Sequence, residues 1–322
     1  MGLMFLRLAR FGTVLALLVV MLGAYTRLSN AGLGCPDWPG CYGRLIVPDH
    51  ANAAQDLIAQ RPLEAGKAWR EMIHRYLAGT LGIVCVALAA IAWLNRRDPE
   101  QPTRRPLGLV ALIVFQALLG MWTVTLLLKP LIVVGHLFGG LATLAVLSSL
   151  ARWRSAKFPA PTPALRALAI GAAAALVLQI FLGGWTSSNY AAVACPDFPT
   201  CQTKWWPPLA DFKDGFVLWR GLGIDYEGGV LDHPARVAIH FTHRLGALLA
   251  GLLIALLGAR LAFAPATRPD GLAVLAALVC QLTLGVSIVV FGFPLYVAVA
   301  HNGVAALLLL TVINANQRIS DT

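Results

Sequence analysis

Charge is what this sequence has least of. Only 12% of its 322 residues are Asp, Glu, Lys or Arg, about half the share found in soluble globular domains. Acids are scarcer still, 15 against 25 basic residues. In their place stand apolar runs of about 20 residues, the length that carries a helix across a bilayer. With 58% hydrophobic residues, the chain is excluded from the soluble class. Two further absences matter. The first run follows Arg7 and Arg10 but has no small-x-small cleavage site after it, so it reads as a retained span and not a cleaved signal. No Arg/Ser-rich transit sequence is present, which favours a bacterial over a mitochondrial protein.

What is present is eight spans, expected near 8–27, 71–94, 107–127, 131–151, 165–187, 236–258, 271–291 and 295–314. A net charge of +10 is compatible with a nucleic-acid partner, but its distribution gives a simpler cause. With the N-terminus inside, the inner segments hold 13 basic residues (Arg7, Arg10, Arg96, Arg97, Arg104, Arg105, Arg152, Arg154, Lys157, Arg166, Arg260, Arg268 and Arg318) against four acids, net +9. The outer side nets +1. The charge therefore marks topology, with both termini cytoplasmic, and no nucleic acid is needed.

The six cysteines divide the same way. Cys85 and Cys280 lie inside apolar runs and are expected as buried small hydrophobes. Cys35/Cys41 and Cys195/Cys201 form two pairs in polar loops on the outer side, where an oxidising compartment lets disulfides persist. Each pair is either a structural staple or a redox-active relay. Neither has the C-x-x-C-H spacing of covalent c-type haem.

The chain also repeats. Tyr25-Thr26-Arg27-Leu28-Ser29-Asn30 followed by Cys35-Pro36-Asp37-Trp38-Pro39-Gly40-Cys41 closes the first span. Trp185-Thr186-Ser187-Ser188-Asn189 followed by Cys195-Pro196-Asp197-Phe198-Pro199-Thr200-Cys201 closes the fifth. Gln116 to Leu141 likewise matches Gln281 to Ala306. An even number of spans per copy makes the repeat parallel. The expected fold is an all-α membrane protein whose eight transmembrane helices form two tandem, parallel-repeat four-helix bundles, residues 1–158 and 159–322.

His74, His136, His243 and His301 begin the second, fourth, sixth and eighth spans at similar depth. Two helices of a four-helix unit, each offering one imidazole, make a bis-histidine site in the bundle core. Two ligands per half are too few for tetrahedral zinc, whereas haem iron takes two axial imidazoles. Gly79, Gly82, Gly135, Gly139, Gly140, Gly246 and Gly303 are expected to leave room for a flat macrocycle, although small residues also serve bare helix packing. Arg75 and Arg244 each follow a histidine and suit either propionates or phospholipid headgroups. Glu71 lies one helical turn before His74, as a dipole-favoured carboxylate or as a proton acceptor above a haem face. In the second copy its place is taken by His240, a further group behind the ligands or an alternative ligand. The first half is thus the candidate reaction site and the second an electron-carrying one. His50 and His233 are read as surface residues, and Trp38, Trp69, Trp205, Trp206 and Trp219 as an interfacial belt.

In the ordered combination of Glu71-x-x-His74-Arg75, Thr242-His243-Arg244, Gly135-His136-Leu137, Ala300-His301-Asn302 and the two outer cysteine pairs, the chain resembles the haem A synthase family over essentially all eight spans. The resemblance implies oxidation of the C8 methyl of haem O to a formyl group, giving haem A for terminal oxidases. It implies substrate haem O near Glu71 between His74 and His136, and a non-covalent haem b between His243 and His301. It further implies supply by a haem O synthase, electron exit to a quinone or other acceptor, and residence in the bacterial cytoplasmic membrane. Cys35 and Cys41 resemble the family's important outer pair, while Cys195 and Cys201 look mainly structural. The competing reading is a non-catalytic di-haem b-type electron carrier, which requires chemically matched halves. A transporter would instead place polar groups at the midplane. Residues 202–235 have no assigned role.

Overall fold

The computed structural model describes residues 2–49, 62–152 and 162–320. His50, Arg154, Lys157 and the expected boundary at 158/159 lie outside the described residues. The described residues are all-helical apart from two isolated bridges in the cysteine loops. The helices are α1 (Leu3–Leu28), α2 (Ala65–Leu94), α3 (Arg104–Thr125), α4 (Pro130–Ala151), α5 (Pro163–Ser188), the short α6 (Phe212–Gly215), α7 (His233–Phe263), α8 (Arg268–Val290) and α9 (Leu295–Ser320). Among them, eight are long and apolar enough to cross a membrane, and the protein is a multi-pass membrane protein.

Several helices run past the expected spans. α2 starts at Ala65 and not near 71, and α7 at His233 and not near 236. Hydropathy marks only the part inside hydrocarbon, whereas backbone hydrogen bonding continues through the polar first turn. Prolines within the first two positions of α5, α7 and α8 preset φ where no intrahelical N–H is needed.

The chain divides into two compact units: residues 1–151 with 219–230, and residues 152–218 with 231–322. In the first unit α1 packs on α2, α2 on α3, α3 on α4 and α4 back on α1, closing a four-helix ring. In the second the ring runs α5, α7, α8, α9 and back to α5. Large apolar side chains such as Leu18, Ile83, Phe115, Leu178, Leu252 and Val279 face outward, as helices bathed in lipid require. Cys85 is buried as expected, but Cys280 is exposed. The reason is that α8 turns most of its surface outward, so an apolar run gave no sign of which face was interior.

Without a hydrophobic force between helices in lipid, close packing carries association. Gly271 makes the tightest approach to backbone among the described glycines. A Cβ there would stand 2.3 Å from Ala262 N and 2.6 Å from Gly258 O, all backbone that cannot move aside. Gly271→Val should therefore lower the thermal midpoint of detergent-solubilised protein by several degrees, an overpacking cost of about 1–3 kcal/mol or more. An unchanged midpoint would show that α7 and α8 do not meet at Gly271.

Candidate functional site

The geometry starts at the cysteine loops. Cys35–Cys41 and Cys195–Cys201 are disulfide-bonded, and all four residues are buried. Inside each loop an aspartate folds the chain on itself. Asp37 accepts the N–H groups of Tyr42 at 2.6 Å and Gly43 at 2.7 Å. Asp197 accepts those of Gln202 at 2.6 Å and Thr203 at 3.0 Å, together with the Thr200 hydroxyl. These N–H groups belong to residues at positive φ, between 51° and 72°. The carboxylates offset the strain that Tyr42, Gln202 and Thr203 incur there.

Each loop is then clamped to a histidine-bearing helix by the arginine one residue after the histidine. Arg75 Nη1 donates to the carbonyls of Asp37 at 2.9 Å, Pro39 at 3.3 Å and Gly40. Its Nη2 pairs with Glu71 Oε1, and Glu71 Oε2 accepts the Cys35 N–H at 2.9 Å. Glu71 is 5% exposed. In the second unit Arg244 donates to Asp197 O at 2.8 Å, Thr200 O at 2.6 Å and Cys195 O at 2.8 Å. There the acceptor is His240, whose Nδ1 lies 3.2 Å from Cys195 N and whose Nε2 lies 3.3 Å from Arg244 Nε, only one of the two nitrogens accepting. Both arginines thus face the cysteine loops, and Glu71 and His240 fill the same place between a cysteine N–H and a guanidinium.

The two acceptors are not equivalent. A carboxylate accepts at both oxygens at once, whereas a neutral imidazole accepts at one nitrogen only. His240 therefore faces two donors with one lone pair.

Below these clamps lie the four histidines. His74 on α2 and His136 on α4 sit on diagonal helices of the first ring, with ring centroids 6.4 Å apart and planes at 80°. Each packs against a glycine of the preceding helix. A Cβ on Gly23 would come within 2.9 Å of His74 Cε1, and one on Gly120 within 3.2 Å of His136 Cε1. The second unit repeats this with Gly183 against His243 at 3.2 Å and Gly285 against His301 at 3.0 Å. Nδ1 of His74, His136 and His301 makes no hydrogen bond of normal geometry, although the carbonyls of Val19, Gln116 and Gln281 face the three rings. Each of those carbonyls lies four residues before the abutting glycine, so the ring lies across that helical turn.

Glutamines distinguish the units. Gln116 Nε2 donates to the His136 carbonyl at 2.6 Å, leaving the two rings facing each other. Gln179 Nε2 stands 3.0 Å from His243 Nδ1, and Gln281 Nε2 3.1 Å from His301 Nε2.

The sequence pattern pointed to the histidines and to Glu71, but it selected other glycines. Gly79 has nothing near its missing side chain, and Gly82 meets only Ile113. The glycines that touch imidazoles, 23/183 and 120/285, fall at equivalent places of the two copies, and that alignment was the available signal. Asp37, Asp197 and Gln179 were also missed. Of the tryptophans, all five are exposed, yet Trp206 stacks on Phe212 at 5.7 Å and Trp219 covers Lys129. His233 meets Gln202 at 2.8 Å in an exposed contact.

Fold and site together define a class: a polytopic helical membrane protein with two four-helix units, each bearing two deeply set histidines under a clamped disulfide loop. The chain belongs to the COX15-CtaA family of cytochrome oxidase assembly proteins, whose pattern matches residues 7–313. It is 46% identical over 316 residues to the heme A synthase of Shewanella oneidensis, covering 96% of this chain and 94% of that one. It is 31% identical to the heme A synthase of Rhizorhabdus wittichii, with 93% and 89% covered. With that of Halalkalibacterium halodurans it shares 28% identity, with 94% and 93% covered.

Two tests probe the clamps. Burial alone would raise the Asp197 carboxyl, but its hydrogen bonds from Thr200, Thr203 and Gln202 outweigh this and hold it below the ordinary value. A depressed folded value means stability that is present above the unfolded pKa of about 3.9 and lost as pH falls through the folded one. Protection of the amides across 195–203, measured against their intrinsic exchange rates, should therefore fall on acidification below that range, and Asp197→Asn should abolish that fall. The same rate ratio in both proteins would contradict it. Separately, His240→Leu removes the acceptor shared by the Cys195 N–H and Arg244 Nε–H and should lower the thermal midpoint, a buried donor left without its partner costing about 1–3 kcal/mol. His240→Glu, which satisfies both, should not lower it.

Proposed function

We propose that the protein is a haem A synthase: it oxidises the C8 methyl of haem O to a formyl group in the first unit, while a haem b in the second unit passes electrons onward. The observation that carries this reading is the exchange of Glu71 for His240 within an otherwise matching set of donors. A carrier of electrons alone has no use for a proton acceptor in one half only. The curated relatives that share most of the chain bear the same activity in their names.

The residues fit the group they are assigned to hold. The 6.4 Å between the His74 and His136 ring centroids leaves room for one metal ion bonded to both rings at the about 2 Å typical of metal–imidazole bonds. Nδ1 of His74 and of His136 faces a helix carbonyl, which leaves the other ring nitrogen of each to a ligand. In the second unit the glycine–histidine packing is the same. The Gln281 amide, on a flexible stem, turns aside to free His301 Nε2.

A haem held by two imidazoles supplies one-electron chemistry and a planar ring whose edge substituents can be placed with precision. The chain supplies the rest. His74 and His136 fix the plane of the substrate ring. Glu71, one turn toward the loop from His74, accepts protons as two C–H bonds of the methyl break and water supplies the formyl oxygen, CH3 + H2O giving CHO + 4 H+ + 4 e−, with the electrons going to a quinone or another acceptor. Arg75 and the Cys35 N–H hold that carboxylate in one orientation and tie its position to the first disulfide loop. His243 and His301 would hold the haem b, which would supply one-electron chemistry toward a quinone or another acceptor. Arg75 and Arg244 act behind the ligands, through the loops. The cysteine loops face the outside of the bacterial cytoplasmic membrane and both termini the cytoplasm. Haem O comes from a haem O synthase, and terminal oxidases consume the product.

Co-expression with a haem O source, followed by chromatography of extracted haems, tests this directly. Wild-type protein should yield haem A and a six-coordinate low-spin b-type spectrum. Glu71→Gln should keep the b-type spectrum and reduce haem A at least about 100-fold, the scale of a lost general base. Haem A at the wild-type level in Glu71→Gln would remove Glu71 from the reaction.

A further inference from the structure

The segment Trp219–Val230 follows the second cysteine loop in sequence but belongs to the first unit. Three contacts anchor it at the turn between α3 and α4. Tyr226 N–H donates to Leu127 O at 3.1 Å. Lys129 Nζ donates to the carbonyls of Arg220 and, at 2.9 Å, Gly221, and lies 3.5 Å from the centre of the Trp219 ring. Leu33, Val124, Leu128 and Tyr226 form a buried cluster, against which Ile224 packs. Lys129 is only 2% exposed, so its ammonium has exchanged water for two carbonyls and an aromatic face.

The turn needs such an anchor. Leu127 and Leu128 stand at φ 50° and 60°. At the matching place of the second unit the first of these is Gly292, for which such a φ is ordinary, the second is Phe293 at φ 65°, and Lys129 is matched by Pro294, so what sets the first turn apart is a side chain at Leu127. A branched residue in that region costs about 1–3 kcal/mol and persists only where surroundings over-determine it. Here the surroundings are the segment itself: its Tyr226 N–H fixes Leu127 O and its side chains cover Leu128.

Both ends of this arrangement lead to the first histidine pair. Lys129 immediately precedes α4, which carries His136 two turns later. Leu33 precedes Gly34 and Cys35, whose N–H groups are directed at Glu71. Gly34 touches α2 so closely that a Cβ would lie 2.6 Å from the Lys67 carbonyl carbon. It also shares a cavity of about 330 Å³ with Lys67 of α2 and with Asp225 and Glu227 of the segment.

We propose that residues 219–230 are a positioning element for the first site, and that Lys129 and Tyr226 are positioning residues that set Glu71 and His136 relative to each other. The role in catalysis rests on the function proposed above; the positioning itself does not. It also assigns work to part of the long second outer loop.

The test uses full-length protein in detergent with Lys129→Met, Lys129→Arg and, should the first fold poorly, Trp219→Leu, which removes only the aromatic face. Amide exchange is read by mass spectrometry. Lys129→Met should accelerate exchange in 32–36 and 131–136 while 192–196 and 296–301 stay unchanged. Haem A formed per b-type haem should fall about 10-fold or more through kcat with KM for haem O little changed, as misplacement of reacting groups does. Lys129→Arg should restore both, and Trp219→Leu should fall between. Unaltered exchange in 32–36 and 131–136, or altered exchange with a wild-type rate of haem A formation, would overturn the proposal. If wild-type protein makes no haem A yet Lys129→Met shows the exchange pattern, the positioning stands and the assigned reaction falls.

Discussion

The structure depends on a buried acceptor held between a cysteine N–H and a guanidinium. An ionised carboxylate at 5% exposure is tolerable only if paired and hydrogen-bonded. Glu71 meets that condition by drawing the first disulfide loop down onto α2. Its partner Arg75 then spends its remaining donors on the loop carbonyls of Asp37, Pro39 and Gly40. The loop cannot shift without leaving these groups unpaired, so the position of the carboxylate and the path of the loop are one constraint. In the second unit His240 and Arg244 reproduce it with an acceptor that takes one donor where Glu71 takes two.

This constraint places a buried acceptor one turn from a histidine in each unit, but a carboxylate in only one. Imidazoles against glycines then provide the room. A ring packed across a glycine turn approaches the neighbouring helix axis more closely than any side chain would permit, and this occurs four times, at Gly23, Gly120, Gly183 and Gly285. The first unit is further distinguished by the anchored turn at Leu127–Lys129. The half assigned the reaction is thus also the half whose geometry is more tightly specified.

Much of this was legible in the sequence for physical reasons. Apolar runs report spans because hydrocarbon tolerates nothing else, and all eight were found, with ends wrong where helices continue into polar surroundings. The histidines and Glu71 stood out because ionisable groups in such runs are costly. The glycines did not, since 30 of them are scattered through the chain and composition says nothing of which face meets which helix. Asp37 and Asp197 looked like ordinary turn residues; their work, holding residues at positive φ, appears only with the backbone in view. Cys280 was misjudged for the same reason as the glycines. That Trp219–Val230 joins the first unit was not legible at all, because it depends on contacts with Leu127 and Lys129 roughly 100 residues away.

The central claim is that each unit holds its own iron between its own pair of histidines. Iron anomalous scattering, or a cryo-electron microscopy map of haem-loaded protein, measures this directly. The account predicts two irons, one between His74 and His136 and one between His243 and His301, with Glu71 beside the first. A single iron, or an iron joining a histidine of one unit to a histidine of the other, would contradict it.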